Sequence, residues 1–297
     1  MPCRARITAV PDTSRPADPT PAFSDDADAT RLVSSEWLSA HIGNPRVKAV
    51  EADEDLLLYD IGHIPGAVKV NARAELDDPT TRDIVDGAAF AALMRDKGIE
   101  RTDTVVLYGD KFNRWAAYGL WVCTLFGHAD VRLLDGGRDF WNTEGRETTL
   151  DWPYWRAEAE YPEAERDDHT HRAFRDAVAT RIGKAQTQLL DVRSPGEYAG
   201  EIRSAARGGH IPTAHNVAWQ RALTGDGRFR SAAELRELYS ELSPELETVV
   251  YCHAGEQAAH SWFVLKYLLG FRNVRVYDGS WSEWGNTVKL PISSPAG

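Results

Sequence analysis

The sequence predicts an α/β protein built from two similar consecutive domains, each with a mostly parallel sheet and helices on both faces. Short apolar segments of strand length alternate with longer apolar segments of helical length, a pattern typical of parallel sheets covered by helices. The sequence Gly-His-Ile-Pro occurs twice, and two further landmarks also repeat at a spacing of about 145 residues. Near the C-terminus, a strand, a tight loop and a helix place Cys252 at the start of the loop.

Length and composition agree with this fold class and exclude several function classes. The 297 residues correspond to about two ordinary domains, and ten Trp, ten Tyr and nine Phe can fill their cores. A formal charge of −11 argues against nucleic acid or an anionic membrane as the main partner. No apolar segment reaches the ~18 residues of a membrane span, and the N-terminus lacks an apolar signal core. Three scattered cysteines do not make a disulfide framework, so we expect a reducing, cytoplasmic location.

The first 29 residues differ from the rest of the chain. Apolar residues are sparse there, and prolines interrupt the segment at positions 2, 11, 16, 19 and 21. Such a segment buries too little apolar surface to offset the entropy lost on ordering. We therefore predict a disordered N-terminal tail over residues 1–29.

Residues 30–150 form the first predicted domain. Ser34 and Ser35 precede apolar residues and indicate a helix start, while Gly127 is suited to end a long apolar helix. Cys123 lies in the middle of that helix, where we expect a buried thiol without a chemical role. Strands are predicted at residues 47–50 and 104–108, a turn followed by a strand within residues 62–71, and a last strand and turn within residues 131–137. Helices are predicted at residues 90–94 and 115–126, with a helix start within residues 33–38.

Residues 151–170 are predicted to be a linker, and residues 171–297 a second, catalytic domain. The linker region is rich in aromatic side chains, which would not remain free in water. We therefore expect it to pack across the domain junction. The aromatic residues concerned are Trp152, Tyr154, Trp155, Tyr161 and the nearby Phe174.

The second domain repeats the first, but the two differ where chemistry is expected. The segments starting at Gly209, Thr248 and Tyr277 repeat those starting at Gly62, Thr104 and Leu134. The position that matches Cys252 is either Tyr108 or Gly109, so the first domain has no thiol there. Since one copy retains the cysteine, we expect a single active site that faces the domain junction.

Cys252 lies in a setting that favours a reactive thiol. The apolar segment 248–251 predicts a buried strand, and residues 259–269 predict a helix that Gly270 ends. In such a turn, backbone N–H groups and the helix dipole can stabilise a negative charge on sulfur. Such settings lower a cysteine pKa from about 8.5 to roughly 3.5–7.5, so we expect a stable thiolate.

From about Leu32 to Ile292 the chain resembles the tandem-domain rhodaneses, a family of sulfurtransferases. The resemblance rests on Gly-His-Ile-Pro in both copies, on the segment Leu190-Asp191-Val192-Arg193-Ser194, on the Cys252 loop and on Asp278-Gly279-Ser280-Trp281. The detailed form of the loop is most similar to the bacterial thiosulfate sulfurtransferases. The resemblance implies that Cys252 is the nucleophile. It also implies that the loop binds the substrate through His253, Ala254, Gly255, Glu256, Gln257 and Ala258.

The implied chemistry is a two-step reaction with a small-molecule sulfur donor and a thiophilic acceptor. A Cys252 thiolate takes the outer sulfur of thiosulfate as a persulfide, and cyanide or another thiol then removes it. The reaction requires no metal or organic cofactor, and no cluster in the sequence has metal-ligand spacing.

The residues around the loop bear on the donor. Thiosulfate-using relatives often carry a cation directly after the cysteine, where this chain has His253. Mercaptopyruvate-using relatives typically have Cys-Gly-Ser-Gly, whereas Ala254 replaces the serine here. Both donor assignments lose a typical residue here, and the assignment to 3-mercaptopyruvate loses more. We therefore expect thiosulfate as the donor, with 3-mercaptopyruvate as the alternative. Arg193 is a candidate substrate-binding residue, for which a structural ion pair is the competing interpretation; Arg203 and Arg207 are further candidate cations.

Three other function classes fit the sequence less well. A cysteine-dependent phosphatase of similar fold needs an arginine six positions after the cysteine to hold phosphate, but that residue is Ala258. A thioredoxin-like oxidoreductase needs Cys-x-x-Cys, and the fourth position is Gly255. A non-catalytic rhodanese-like binding or regulatory protein stays open as an alternative, although the retention of Cys252 argues against it.

Overall fold

The computed structural model describes residues 17–153 and 159–294. Within these ranges the chain forms two sheets of parallel strands, with five strands in the first half and four in the second. Helices lie around both sheets. The predicted pair of α/β units is confirmed.

The bounds of the elements are as follows. The strands of the first half are β1 (Leu32–Val33), β2 (Val47–Asp53), β3 (Val68–Asn71), β4 (Thr104–Tyr108) and β5 (Val131–Leu134). Its helices are α1 (Ser35–His41), α2 (Leu57–Asp60), α3 (Ala72–Leu76), α4 (Gly87–Asp96), α5 (Arg114–Leu125) and α6 (Gly137–Thr143). The strands of the second half are β6 (Thr187–Asp191), β7 (Ala214–Asn216), β8 (Glu247–Tyr251) and β9 (Val274–Val276). Its helices are α7 (Arg175–Arg181), α8 (Pro195–Ala199), α9 (Ala232–Leu238), α10 (Glu256–Phe263), which continues in a π-helical turn, and α11 (Ser280–Trp284).

Local sequence signals determine several helix starts. The Ser34 hydroxyl accepts a hydrogen bond from the amide of Trp37 at 3.1 Å and caps α1. Asp86 caps α4 in the same way, through the amide of Ala89 at 2.8 Å. Because these side chains satisfy amides that have no partner within the helix, the helices begin where the polar residues stand.

The strand order shows how the two halves correspond. The first sheet has the order β1-β5-β4-β2-β3, and the second has the order β7-β6-β8-β9. In the first sheet Tyr108 of β4 pairs with Glu51 of β2, and in the second Tyr251 of β8 pairs with Asp191 of β6. The two tyrosines are therefore equivalent, and the residues that follow them are equivalent too.

Gly109 thus occupies the position in the first half that Cys252 occupies in the second. A Cβ atom at Gly109 would lie only 2.6 Å from the carbonyl oxygen of Ala52 and 2.6 Å from a carboxylate oxygen of Asp53. The first half has no room for a side chain here. It therefore cannot hold a second thiol at the equivalent place.

The two halves share one hydrophobic core. Helix α5 packs against α10 in this core, which contains Trp121 and Cys123 of the first helix and Trp262 and Phe263 of the second. Each half also has a smaller core of its own. Since α5 and α10 follow the central strands β4 and β8, their contact brings the loops after those strands to the junction between the halves.

The predicted disordered tail is wrong for the part that the structure describes. The Asp18 carboxylate accepts a hydrogen bond from the Ser34 amide at 2.6 Å, and Phe23 is buried. The amides of Ala27 and Asp28 donate to the second half, to the carbonyl oxygens of Leu268 and Tyr267. Composition alone does not reveal these few specific contacts. Residues 1–16 lie outside the described residues.

The linker aromatics behave differently from one another. Tyr161 is buried, but the two rings it contacts, Phe90 and His128, both belong to the first half, so these contacts do not show the predicted packing across the domain junction. Trp152, by contrast, is 64% exposed. Tyr154 and Trp155 lie outside the described residues. The domain boundaries at 150 and 170 stay predictions.

Candidate active site

Cys252 lies directly after β8, at the edge where the parallel strands end. Its loop is short, because α10 already begins at Glu256. A second segment supports the loop from behind: the amide of Trp281 donates to the carbonyl of Cys252 at 3.0 Å, and that of Ser282 donates to the carbonyl of His253 at 2.9 Å. The backbone of the loop is therefore held on both sides of the sulfur.

The sulfur atom is enclosed by backbone and hydroxyl groups. The amide of Gly255 donates to Sγ at 3.0 Å, and the hydroxyl oxygen of Ser280 lies 3.9 Å from Sγ. The same Ser280 oxygen accepts from the amide of Cys252 at 3.0 Å and donates to the carbonyl of Tyr277 at 2.7 Å. The predicted amide contact with the sulfur is thus present in the structure.

The expected low pKa of Cys252 is not found in this arrangement. Burial, together with the negative charge of Glu256, raises the pKa of Cys252 to about 12. The backbone amides of Ala258, Gly255 and Ala254 act in the opposite direction, but they do not compensate. The sequence indicated the amides and the helix dipole; the complete burial of the sulfur depends on tertiary packing, which the motif does not contain.

Glu256 is the charged group next to the sulfur. The thiol lies 4.0 Å from a carboxylate oxygen of Glu256, towards which it donates. Glu256 is the first residue of α10, where the helix dipole favours a negative charge. It is 6% exposed.

Gly255 makes the short loop possible. Its φ of +107° is one that other residues rarely adopt, and an added Cβ would lie 3.3 Å from the Cβ of Asp278. The helix therefore starts three residues earlier than the predicted residue 259. As a result Gln257 and Ala258, predicted to lie in the loop, belong to the first turn of α10, where Ala258 is buried and Gln257 is half-buried.

The loop faces a cleft whose opposite wall comes from the first half. His253, Ala254 and Glu256 line this cleft, which has a volume of about 460 Å³. Three cations stand across from them: Arg73 in α3, Arg82 in the following loop and Arg114 at the start of α5. The cleft is also lined by Glu54, Trp115, Ser204, Ser282 and Asn286.

These three arginines were missed by sequence reasoning, because they lie in the half without a cysteine. Arg73 and Arg114 follow the carboxyl ends of β3 and β4, the edge of a parallel sheet at which ligands bind. Applying this rule to the first repeat would have found these two arginines, but not Arg82, which lies in the loop after α3. In the structure Glu54 lies 3.5 Å from the guanidinium of Arg73 and 3.9 Å from that of Arg114.

Arg193, predicted as a donor-binding residue, does not reach the cleft. Its guanidinium is buried, pairs with Asp191 at 2.5 Å and donates to the carbonyl of Gly209 at 2.8 Å. It also lies 4.3 Å from the centre of the Trp281 ring. This placement corrects the prediction in favour of the competing interpretation, a structural ion pair, whose partner is Asp191.

The other candidate cations of the second half also lie outside the set of residues that line the cleft. Arg207 donates to the carbonyl oxygens of Leu290 and Trp284 at 2.8 and 2.9 Å, which ties the C-terminal segment down. Arg203 is exposed. His260 is completely buried, and burial lowers its pKa to about 3, so it is neutral at physiological pH. Cationic side chains at the cleft therefore come from the first half.

The structure also bears on membrane-spanning helices, metal-binding clusters and disulfide bonds. None of the described helices is long and apolar enough to cross a membrane. Within residues 17–153 and 159–294, no cluster of three or more His, Cys, Asp or Glu residues could hold a metal ion. The described cysteines, Cys123 and Cys252, are both free thiols.

Two segments of the chain match a known protein family. Residues 34–144 and 175–287 each match the model of the rhodanese-like domain. The chain belongs to the rhodanese family. The resemblance inferred from the sequence is thereby confirmed, including its two tandem domains, and so is the assignment as a rhodanese-type sulfurtransferase.

Related sequences and structures cover most of the rhodanese chain. It is 56% identical over 285 residues to the putative thiosulfate sulfurtransferase SseA of Mycobacterium tuberculosis, covering 93% of this chain and 95% of that protein. It is 53% identical over 288 residues to the thiosulfate sulfurtransferase of Corynebacterium glutamicum, covering 94% and 95%. Among solved structures, an anaerobic ergothioneine biosynthesis enzyme from Chlorobium limicola matches with a TM-score of 0.80 and 25% identity, covering 90% of this chain and 71% of that chain.

Proposed function

We propose that this rhodanese transfers a sulfane sulfur from thiosulfate to cyanide or a thiol acceptor through a persulfide on Cys252. The observation that carries the proposal is the juxtaposition of two features across one cleft. The loop that holds the Cys252 sulfur forms one wall, and three arginines of the first half stand on the other. Guanidinium groups across the cleft from the loop of a nucleophilic cysteine suit a small anionic sulfur donor.

The proposed reaction has two steps. The Cys252 thiolate attacks the outer sulfur of thiosulfate, a new S–S bond forms, and the S–S bond of thiosulfate breaks as its electron pair leaves with sulfite. The product is a Cys252 persulfide with one negative charge. Cyanide or a thiolate then attacks the outer sulfur of the persulfide, which releases thiocyanate or a new persulfide and regenerates the Cys252 thiolate.

We assign the loop residues to the sulfur and the arginines to the sulfonate. The amide of Gly255, at 3.0 Å from Sγ, and those of Ala254 and Ala258 stabilise negative charge on sulfur. His253 and Ala254 line the cleft, as Glu256 does, so they are placed to contact the donor, whereas Gln257 and Ala258 support the loop from the first helical turn.

Arg73, Arg82 and Arg114 bind the sulfonate oxygens in this proposal. Charge-assisted hydrogen bonds from guanidinium groups are stronger than neutral ones. Glu54, which lies near two of these arginines, keeps them in place in the absence of an anion. Thiosulfate-using relatives often carry a cation directly after the cysteine, and this chain has His253 there. The arginines of the first half therefore supply the cationic contact that the loop lacks.

Access to the sulfur requires a small movement of the loop. Cys252 is completely buried, while the neighbouring residues His253 and Ala254 are half-buried and line the cleft. We propose that displacement of this side of the loop admits the outer sulfur of the donor. A reducing compartment such as the cytoplasm suits this chemistry, because the reaction needs the free thiol that the structure shows.

The choice of donor tests the proposal. Because Ala254 replaces the serine of mercaptopyruvate-using relatives and the cleft is cationic, we predict a higher kcat/KM for thiosulfate than for 3-mercaptopyruvate with cyanide as acceptor. Initial rates with both donors measure this ratio, and the Cys252→Ser variant should turn over neither donor. A clear preference for 3-mercaptopyruvate would replace the proposed donor, and no turnover of either would favour a binding or regulatory role.

A further inference from the structure

We propose that Glu256 is a catalytic residue that accepts the proton of the Cys252 thiol as the sulfur attacks its donor, and that the two side chains share one proton through the reaction. This inference deepens the proposed sulfur transfer and rests on it. It gives a chemical role to a carboxylate that the family resemblance places among the substrate-binding residues of the loop.

The geometry places Glu256 next to the sulfur and among the residues that line the cleft. Its carboxylate lies 4.0 Å from Sγ, and within the described ranges the thiol is its hydrogen-bond partner. Cys252 is completely buried, whereas Glu256 retains 6% exposure and lines the cleft. A proton that leaves the sulfur therefore has a direct acceptor that borders the cleft.

A proton acceptor is needed because the resting thiol is neutral. Burial raises the pKa of Cys252 to about 12, so few molecules carry a thiolate at neutral pH. Attack on the donor without transfer of this proton would have to proceed from that small fraction. Transfer to Glu256 moves the negative charge from the carboxylate to the sulfur at the moment of reaction, without changing the total charge of the pair.

The other charged groups around the pair are less suited to the task. Asp278, which packs behind Gly255, is held by Arg172 at 2.7 and 3.0 Å. Glu54 belongs to the opposite wall, near Arg73 and Arg114. Within the described residues, the remaining charged or titratable side chains that line the cleft are Arg82 and His253, and neither is among the groups that hydrogen-bond to Sγ, which are Glu256, Ser280 and the Gly255 amide.

The step balances in atoms and charge. The Cys252 S–H bond breaks and its proton passes to the Glu256 carboxylate, while the sulfur forms a bond to the outer sulfur of thiosulfate and sulfite leaves with its electron pair. The persulfide then carries the negative charge and the neutral carboxylic acid can donate a hydrogen bond to it. Removal of the outer sulfur by cyanide regenerates the Cys252 thiolate, to which Glu256 returns the proton.

The Glu256→Gln substitution tests the proposal, since it keeps the shape of the side chain but removes the basic oxygen. The rate of persulfide formation from thiosulfate would be measured by rapid quenching and intact mass from pH 6 to 9. We predict a loss of about 100-fold at pH 7, in the range of general base catalysis, and a rate that rises about tenfold per pH unit as hydroxide replaces the base. The uncharged reagent iodoacetamide should show the same slowing, because it reports thiolate formation without donor binding.

A purely electrostatic role of Glu256 predicts the opposite result. If the carboxylate only disfavoured the thiolate, Glu256→Gln would lower the cysteine pKa and accelerate both reactions; an equal or higher rate at pH 7 would therefore overturn the proposal. Glu144→Gln is the matched control, as it removes a carboxylate that pairs with Arg146 outside the cleft, and its pH profile should stay that of the wild type. Glu256→Asp, which keeps the base on a shorter side chain, should retain the wild-type pH profile at a reduced rate.

The outcome is separable from that of the proposed function. Should the wild-type protein form no persulfide with thiosulfate, the donor assignment fails, yet the iodoacetamide profiles still decide the role of Glu256. Melting temperatures of all variants would show whether each is folded.

Discussion

Two buried cysteines show how the surroundings of a single residue decide its chemistry. Burial raises the pKa of Cys123 to about 12, as it does for Cys252. Cys123 lies in the middle of α5 within the shared core, whereas Cys252 has an amide at 3.0 Å and a carboxylate at 4.0 Å. The proposed chemistry therefore depends on neighbours that can stabilise a sulfur anion and receive its proton, and only Cys252 has both near it among the described thiols.

The arginines of the cleft give a prediction at this scale. Arg114→Gln removes a guanidinium that lines the cleft, so we expect the KM for thiosulfate to rise about 5–10-fold, the loss of roughly one charge-assisted hydrogen bond. The kcat should change little, because the sulfur and its loop are untouched. Steady-state kinetics with cyanide measure both quantities. Arg146→Gln removes an arginine that pairs with Glu144 instead and should leave KM unchanged; an equal effect of the two substitutions would contradict the assignment.

At the residue scale, the position of the reactive cysteine could be predicted from the sequence more accurately than the groups that surround it. The cysteine could be located because a strand, a glycine-containing loop and a helix are local features. The direction of its pKa shift could not, since it depends on burial by segments such as 277–282, distant in sequence. The pairing of Arg193 with Asp191 is local in sequence, but the burial of this pair, which holds the guanidinium away from the cleft, depends on tertiary packing.

At the scale of elements, periodicity and capping predicted most strands and long helices. The strand predicted at 104–108 matches β4, the strand and turn predicted within 131–137 contain β5, and the helix predicted at 115–126 matches α5 within one residue at either end. The start of α10 was placed three residues late, because Glu256, Gln257 and Ala258 carry no apolar period. The helical turn starts there since Gly255, at a φ of +107°, reverses the chain immediately before it.

The loop of the first half that is equivalent to the Cys252 loop differs from it in backbone conformation. Its backbone passes so close to Ala52 and Asp53 that only glycine fits at position 109. The loop then continues through three consecutive residues with positive φ, Lys111 to Asn113. The first half contributes the arginine wall in place of a thiol, a division of roles that a repeat alone does not predict.

At the scale of the whole molecule, the active site depends on how the halves are joined. Arg172 pairs with Asp83 of the first half at 2.6 Å and with Asp278 of the second at 2.7 Å, and its side chain is only 5% exposed. Asp278 packs directly behind Gly255 of the catalytic loop. This ion pair therefore connects the junction to the loop that holds the sulfur.

We predict that Arg172→Met lowers the free energy of unfolding by about 3 kcal/mol, because it leaves a largely buried carboxylate without its partner. Urea unfolding followed by tryptophan fluorescence measures the change. The control Arg146→Met removes a more exposed ion pair and should cost less than about 1 kcal/mol. Similar losses for the two variants would show that the Arg172 pairs contribute no more than a surface pair.

The most direct test of the central claim is the intact mass of the full chain before and after incubation with thiosulfate. The wild-type protein and Cys123→Ala should each gain the mass of one sulfur atom, and both reductant and cyanide should remove it. Cys252→Ser should gain nothing. A stable sulfur adduct on Cys252→Ser, or none on the wild-type protein, would contradict a Cys252 persulfide as the intermediate of sulfur transfer.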